Sequence, residues 1–356
     1  MTGEDAALSQ RELFLRACRR EPVARVPVWI MRQAGRYLPE YRAVRQKHSF
    51  LQICKTPELA AEVSLQPFRI LGVDAIIVFS DILIPAEAMG LPVDIGDSGP
   101  RISTPLRDRS QIESLAIFDP EVETRFVGDA IRMLCKTVGT EVPIIGFAGA
   151  PWTLACYLLE GKSKDGFPEA KRLLYEQPRL LRILLEKIAR ATANYLRAQI
   201  AAGACAVQLF DTWAGELTPA DYVDLVLPAT QSMIAELERA NVPVILYTKG
   251  SSHLLSSLRQ TGADVLSVDW RQDLAQIRAI VGDGVALQGN VDPCVLLGSE
   301  GVIEREVKET IAETRGLGHI LNLGHGILPM TPLEGAKAFV QAGQEYRFKE
   351  VATSGG

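Results

Sequence analysis

The chain has 356 residues, 47% of them hydrophobic and 23% charged, which is ample material for a large core and excludes disorder as the dominant state. A formal net charge of -5 argues against nucleic acid as a partner, although a local basic patch can still bind a small anion. The leading MTGEDAALSQRE has neither the basic flank nor the apolar core of a signal peptide, and no apolar run approaches the ~20 residues of a membrane span, so a cytoplasmic protein with no membrane partner is expected.

Short β-branched or apolar runs recur along the chain: VPVWIM from 26, DAIIVFS from 74, PIIGFAG from 143, ACAVQLF from 204, PVILYT from 243, DVLSVD from 264, VALQGN from 285 and HILNLG from 319. They predict eight strands. Helical patterns lie between them, and Thr56-Pro57, Thr218-Pro219 and Thr331-Pro332 each set a capping hydroxyl before a proline; Thr331 with Glu334 makes a candidate capping box. Strands that are apolar throughout suit a parallel sheet buried on both faces, and alternation with helices calls for crossover connections. The expectation is an α/β fold, a single (β/α)8 barrel, with a doubly wound open sheet as the alternative. No linker divides the chain, so residues 1–356 are expected to form one domain with short flexible ends. Six cysteines, Cys18, Cys54, Cys135, Cys156, Cys205 and Cys294, have no CxxC spacing and are expected to be buried, reduced thiols.

Polar residues follow the strands directly: Arg32, Asp81, Phe210-Asp211-Thr212, Lys249, Asp269, Asn290 and His325. In a barrel these ends converge on the face where active sites are built. The stretch after Asp81, DILIPAEAMGLPVDIGDSGPRISTPLRD, is too long for a simple turn and predicts a hairpin or lid over the mouth.

Several chemistries are absent from the motifs. GKS at 161–163 lacks the earlier glycine of a phosphate loop, no GxGxxG or GxSxG is present, and His48, His253, His319 and His325 form no HExxH or HxC pattern. The most distinctive segment is PVWIMRQAGRYLPEYRAVR, in which a strand runs into Arg32, Arg36, Arg42 and Arg45, with Gly35 allowing a tight backbone path. The planar fork of arginine pairs bidentately with carboxylates, so this loop suits a substrate with several acidic groups; the plainer reading is a solvated basic loop paired with Glu40.

MRQAGRYLPEYR and GFAGAPWTLACYLLEGK resemble the two signatures of the uroporphyrinogen decarboxylase family, and FSDIL, QLFDTWAG, QGNVDP and NLGHGI resemble further family segments in order, over about residues 9 to 345. The resemblance implies a barrel and a small-molecule substrate, uroporphyrinogen, with Arg32, Gln33, Ala34, Gly35, Arg36, Asp81, Tyr157, Thr212 and His325 at it. Asp81, Arg32 and Tyr157 are the candidate catalytic residues, Thr212 stands where many relatives carry serine, and Phe210 is added as a residue that can stack near the macrocycle. A homodimer is implied too, though no heptad seam marks one.

The chemistry fits that resemblance. Loss of CO2 from a pyrrole acetate leaves electrons that a ring-protonated pyrrole can accept, so no metal and no organic cofactor is expected. Asp81 would stabilise the developing cation, the sign-reversed counterpart of an oxyanion hole. The Tyr157 hydroxyl is expected to reach a substrate carboxylate or Asp81, and the glycines beside His325 to keep its ring accessible. Two other readings stand beside this one: a zinc-dependent corrinoid methyltransferase on a related barrel, and a non-catalytic tetrapyrrole-binding protein.

Overall fold

A computed structural model describes residues 8–96 and 99–348. The expected flexible ends fall on residues 1–7 and 349–356, and the tip of the excursion falls on 97–98; these lie outside the described residues. All eight predicted strand segments are present as one ring. Its hydrogen-bonded members are β1 (Ile76–Ile77), β4 (Ile144–Gly149), β5 (Ala206–Asp211), β6 (Val244–Thr248), β7 (Val265–Ser267), β8 (Ala286–Val291) and β9 (His319–Leu323), all parallel and in chain order. The eighth member is the VPVWIM segment, reduced to a parallel bridge between Val28 and Leu321. It still closes the barrel. Leu321 donates to Pro27 O (2.9 Å) on one side, and Asp74 donates to Val28 O (2.7 Å) on the other.

So short a strand needs another anchor, and Asp74 supplies it. Its buried carboxylate receives both guanidinium nitrogens of Arg25 (2.7 and 2.8 Å) and the Val28 amide (2.9 Å). This charge-assisted pairing ties the first segment to the second at the amino-terminal end of the strands. The residues that follow, including Arg32, inherit their position from it.

Helices cover the ring, which explains strands that are buried on both faces: every residue of β4, β6, β8 and β9 is buried. Inside, a polar layer crosses the barrel, with Trp29 Nε1 donating to Gln288 (2.9 Å) and Gln288 donating to Gln208 (3.1 Å) and Ser267 (2.9 Å). The excursion after Asp81 contains the expected antiparallel hairpin, β2 (Val93–Gly96) with β3 (Gly99–Ile102).

Three local expectations need correction. Thr331 does not cap the last helix: that helix runs Leu333–Glu345 from Pro332, and the Thr331 hydroxyl is buried with no partner among the described residues, because the proline stands at the cap itself. Thr56 sits at the cap of Pro57–Leu71 without a side-chain bond, whereas Thr218 accepts from the Asp221 amide at 3.2 Å. All six cysteines are free, but Cys294 is exposed and Cys135 half-buried; Cys294 lies in the surface turn after β8, where its amide caps onto Asp292.

Candidate active site

The carboxyl-terminal ends of the strands surround a cavity of about 410 Å3. Arg32, Gln33, Ala34, Gly35, Arg36, Asp81, Tyr157, Phe210, Thr212 and His325 all line it, as do Ile95, Gly96, Gly99 and Pro100 of the hairpin. The excursion therefore walls the mouth. Lys249, Asp269 and Asn290 do not line the cavity. Asp269 instead accepts from the Gly250 amide and from Arg271, and Asn290 donates to the carbonyls of Asp269 (2.9 Å) and Gln272 (2.7 Å), so these strand ends hold loops.

The arginine loop begins with a turn in which Gln33 N–H donates to Ile30 O (2.9 Å) and Arg32 has φ of 61°. That left-handed conformation is uncommon for a side chain larger than glycine or asparagine, and it swings the loop sharply off the strand. Gln33 holds the turn. Its buried amide accepts from Ile30 N–H (3.2 Å) and donates to Ala75 O (3.0 Å), while Tyr37 O–H donates to Gln33 O (2.7 Å). The Gln33 side chain is thus a brace of the loop rather than a free substrate contact. Arg42 is a second brace, donating to the carbonyls of Arg36 (2.8 Å) and Tyr37 (3.2 Å). Among the described residues neither Arg32 nor Arg36 pairs with a carboxylate, Glu40 included, and both are exposed.

The NLGHGI segment is packed rather than flexible. A methyl group on Gly326 would lie 2.3 Å from Arg32 Cδ and 2.8 Å from its Cγ, and one on Gly324 would strike the backbone of Trp270 at 2.6 Å. Neither glycine has a positive φ, so the absent side chains serve close approach. Arg32 runs across the space that Gly326 leaves.

Asp81 is half-accessible to the cavity yet set deep in protein, and burial pushes its carboxyl above the usual range against the pull of the Leu83 amide and the Arg32 charge. Among the described residues its one side-chain hydrogen bond is from Leu83 N–H at 2.8 Å, and the carboxylate lines the cavity with acceptor capacity to spare. Tyr157, on the helix Pro151–Glu160, packs on Trp213 with ring centroids 4.5 Å apart. Its hydroxyl makes no hydrogen bond to Asp81 among the described residues, and burial first, then the Asp81 charge, raises its pKa.

Aromatic rings pave the rest. Phe210 meets Phe147 (5.6 Å) and Tyr247 (5.9 Å) edge to face, and Tyr247 stacks on His325 at 5.9 Å and 5°. Tyr247 O–H is also 2.9 Å from His325 Nδ1 and 3.0 Å from Gly324 O. Burial, with Arg32 and Lys249, pushes the His325 pKa down to about 4, so the ring is neutral near pH 7. Sequence reasoning missed Phe147 and Tyr247 as lining residues, though each sits on the inward parity near a strand end. It also left out Tyr41, and it named Arg45 in the arginine loop but not among the site residues; Arg45 joins Arg32 and Arg36 to make three cations around one carboxylate among the described residues.

The chain matches the family model described as uroporphyrinogen decarboxylase (URO-D) over residues 9–346. A uroporphyrinogen decarboxylase of Pelobacter propionicus is 52% identical over 332 residues, covering 93% of this chain and 97% of that protein. One of Geobacter metallireducens is 51% identical over 329 residues, covering 92% of this chain and 96% of the other. A solved methyltransferase from Methanosarcina mazei superposes with a TM-score of 0.82 at 25% identity, covering 95% of this chain and 99% of that one. With about half of its residues identical to those relatives across nearly its whole length, the chain belongs to the uroporphyrinogen decarboxylase family.

Proposed function

We propose that this chain, working as one barrel domain, uses the cavity to convert the four acetate side chains of uroporphyrinogen III to methyl groups, yielding coproporphyrinogen III and CO2. The observation that carries the reading is the charge pattern: among the described residues Asp81 is the one carboxylate lining a cavity whose other charged lining groups are Arg32, Arg36 and Arg45, in a chain of net charge -5. A polyacid with a cationic reaction centre fits that pattern.

Each round begins when a ring carbon next to the acetate-bearing carbon takes a proton. The bond to the carboxylate then breaks, its electron pair enters the cationic ring, and CO2 leaves. A proton added to the resulting exocyclic methylene, with loss of the ring proton, restores the pyrrole; the net exchange is one proton for one CO2. Asp81 accepts from the pyrrole N–H groups and stabilises the cation through a charge already in place. Arg32 and Arg36 hold substrate carboxylates, Thr212 offers them a hydroxyl donor, and Tyr157 offers its hydroxyl to the acetate being lost, orienting the bond that breaks rather than adding to binding overall. Neutral His325 serves as a donor rather than an acid: a carboxylate selects the tautomer with hydrogen on Nε2, and the single Tyr247 proton then turns from Gly324 O to Nδ1. Phe210, with Phe147 and Tyr247, provides faces and edges for the macrocycle. The ring-protonated pyrrole is itself the electron sink, so no metal or organic cofactor enters this reading.

The methyltransferase likeness supports a second reading in which a metal-bound thiol does the work. That chemistry needs converging ligands, and among the described residues no three His, Cys, Asp or Glu side chains are grouped to hold a metal ion. One experiment separates the readings: incubation with uroporphyrinogen III in the presence of a chelator, followed by chromatography. Coproporphyrinogen III is the expected product. Substrate bound but unchanged would point to a carrier, and activity lost to chelation and restored by one metal would overturn the mechanism. The same reading takes the enzyme to be a cytoplasmic homodimer, which sedimentation equilibrium and cell fractionation test. No helix among the described residues is long and apolar enough to cross a membrane.

A further inference from the structure

The helix Pro151–Glu160, which carries Tyr157, starts without a cap of its own. Ala150 stands at the cap position and has no side-chain acceptor, so the free amides of the first turn need a partner from elsewhere. That partner is Asp211, the last residue of β5. Its Oδ1 accepts from Thr153 N–H (3.2 Å) and from Thr153 O–H (2.8 Å), and the Thr153 oxygen in turn accepts from Trp213 N–H (3.3 Å). Trp152 Nε1 donates to Trp213 O (3.1 Å), closing the seam between helix and strand.

Asp211 itself is fully buried and does not line the cavity, whereas its neighbours Phe210 and Thr212 do. Thr153 lies one helical turn before Tyr157, on the same face. A buried carboxylate is costly, and here its Oδ2 has no hydrogen-bond partner among the described residues, so packing alone would favour an apolar residue. Its position is instead where the Tyr157 wall and the Phe210–Thr212 wall of the cavity are pinned together.

We propose that Asp211 is a positioning residue for the decarboxylation: through Thr153 it fixes the helix that carries Tyr157 relative to the strand end that carries Phe210 and Thr212. The inference rests on Tyr157 being part of the site. Displacing a contacting group by about 1 Å can cost up to ~10²-fold in turnover, so loss of the link acts on kcat while the arginine-held carboxylates keep KM nearly unchanged.

The test is a double-mutant cycle of Thr153→Val with Tyr157→Phe, followed by kcat, KM and melting temperature on uroporphyrinogen III. Thr153→Val is expected to lower kcat about tenfold with KM within about twofold, and Thr153→Ser to restore it, because the hydroxyl returns. Asp211→Leu removes both acceptor oxygens and is expected to lower kcat about as far as Thr153→Val, with KM within about twofold; a folded Asp211→Leu enzyme with normal kcat would overturn the positioning role. In the Tyr157→Phe background the valine change is expected to cost little more, since the group it positions has gone. Additive losses, or a Thr153→Val enzyme with normal kcat beside an impaired Tyr157→Phe enzyme, would overturn the positioning role alone. A fully active Tyr157→Phe enzyme would instead overturn the placement of Tyr157 in the site, and the inference with it. If Thr153→Val does not fold, Thr153→Ala takes its place in the cycle with the same expected non-additivity.

Discussion

Asp81 and Asp211 stand at the ends of two barrel strands after similar residues, in VFSD and QLFD, and the molecule treats them in opposite ways. Asp81 faces the cavity with, among the described residues, one backbone hydrogen bond to its carboxylate and no cation paired with it. Asp211 faces the seam between strand and helix and is sealed by Thr153. Burial raises both carboxyls, and that of Asp211 reaches about 6. A perturbed carboxyl at a strand end is therefore not by itself a sign of a substrate contact; the direction in which the side chain leaves the strand decides its role. Alternation along β5 puts Phe210 on the cavity side and Asp211 on the helix side.

The largest expected effect breaks the first half of this comparison. Asp81→Asn keeps size and one acceptor but removes the charge, so it is expected to fold normally and lose ~10² to 10³ in kcat. Asp81→Glu is expected to retain part of the activity. Turnover and melting temperature measured on one preparation decide the point, and near-normal turnover in Asp81→Asn would remove its charge from the mechanism.

Asp211→Asn breaks the second half through stability rather than turnover. The folded-state pKa is raised, so between about pH 4 and 6 the folded state holds the extra proton, and wild-type stability falls as pH rises through that window. Asparagine carries no such penalty. From pH 4 to pH 7.5 the stability difference is expected to move ~2 to 3 kcal/mol in the variant's favour, as read by denaturant unfolding at both pH values. An unchanged difference would mean that Asp211 is ionised at ordinary cost.

The barrel was legible because fully buried parallel strands leave continuous apolar runs, and all eight runs lie in the ring. The first was overestimated in length: it is held by Asp74 and Arg25, a pairing between distant residues that no local pattern reveals. Residues 32–36, Asp81, Tyr157, Phe210, Thr212 and His325 were legible from strand ends and motif resemblance together, and the structure brings them to one cavity. What could not be seen was division of labour within a motif. Gln33 sits between two free arginines but spends its amide on the backbone, and the glycines of NLGHGI look like hinges in sequence while serving as clearance for Arg32 and for the Trp270 backbone. Such roles depend on what crosses from another part of the chain.

That clearance yields the next prediction. Arg36→Ala removes a charge-assisted partner of a carboxylate and is expected to cost ~1.5 to 3 kcal/mol in kcat/KM, mostly through KM, with lysine restoring only part because it lacks the planar fork. Gly326→Ala leaves every charge in place but forces the Arg32 chain aside, because the added methyl would lie 2.3 Å from its Cδ. Its kinetics are therefore expected to resemble those of Arg32→Ala in direction, at smaller size. A Gly326→Ala enzyme with an unaltered KM would show that Arg32 engages substrate from another path.

The smallest expected effect carries the cavity-against-seam contrast to the two histidines of the last strand and its loop. His319 and His325 are both pushed down to about 4 by burial, but His319 is enclosed, bonded to Thr314 (3.1 Å) and to Gly289 O (2.9 Å), while His325 lines the cavity. For a base with a lowered folded-state pKa the unfolded chain takes up the proton first, so stability is present above about pH 6.5 and is lost as pH falls toward 4. His319→Gln is therefore expected to weaken this acid-side loss while lowering stability near pH 7, where its paired hydrogen bonds are replaced imperfectly. His325→Gln keeps a neutral donor at the cavity and is expected to change kcat/KM by less than about tenfold, the scale of one hydrogen bond to a charged group. Because kcat/KM follows ionisations of the free enzyme, its profile between pH 5 and 8 is expected to keep the same shape in wild type and His325→Gln. A limb near pH 6.5 present in wild type and absent in the glutamine variant would mean that the imidazolium form works in the cavity. His325 would then belong with Asp81 among the groups whose charge matters, not with the neutral donors.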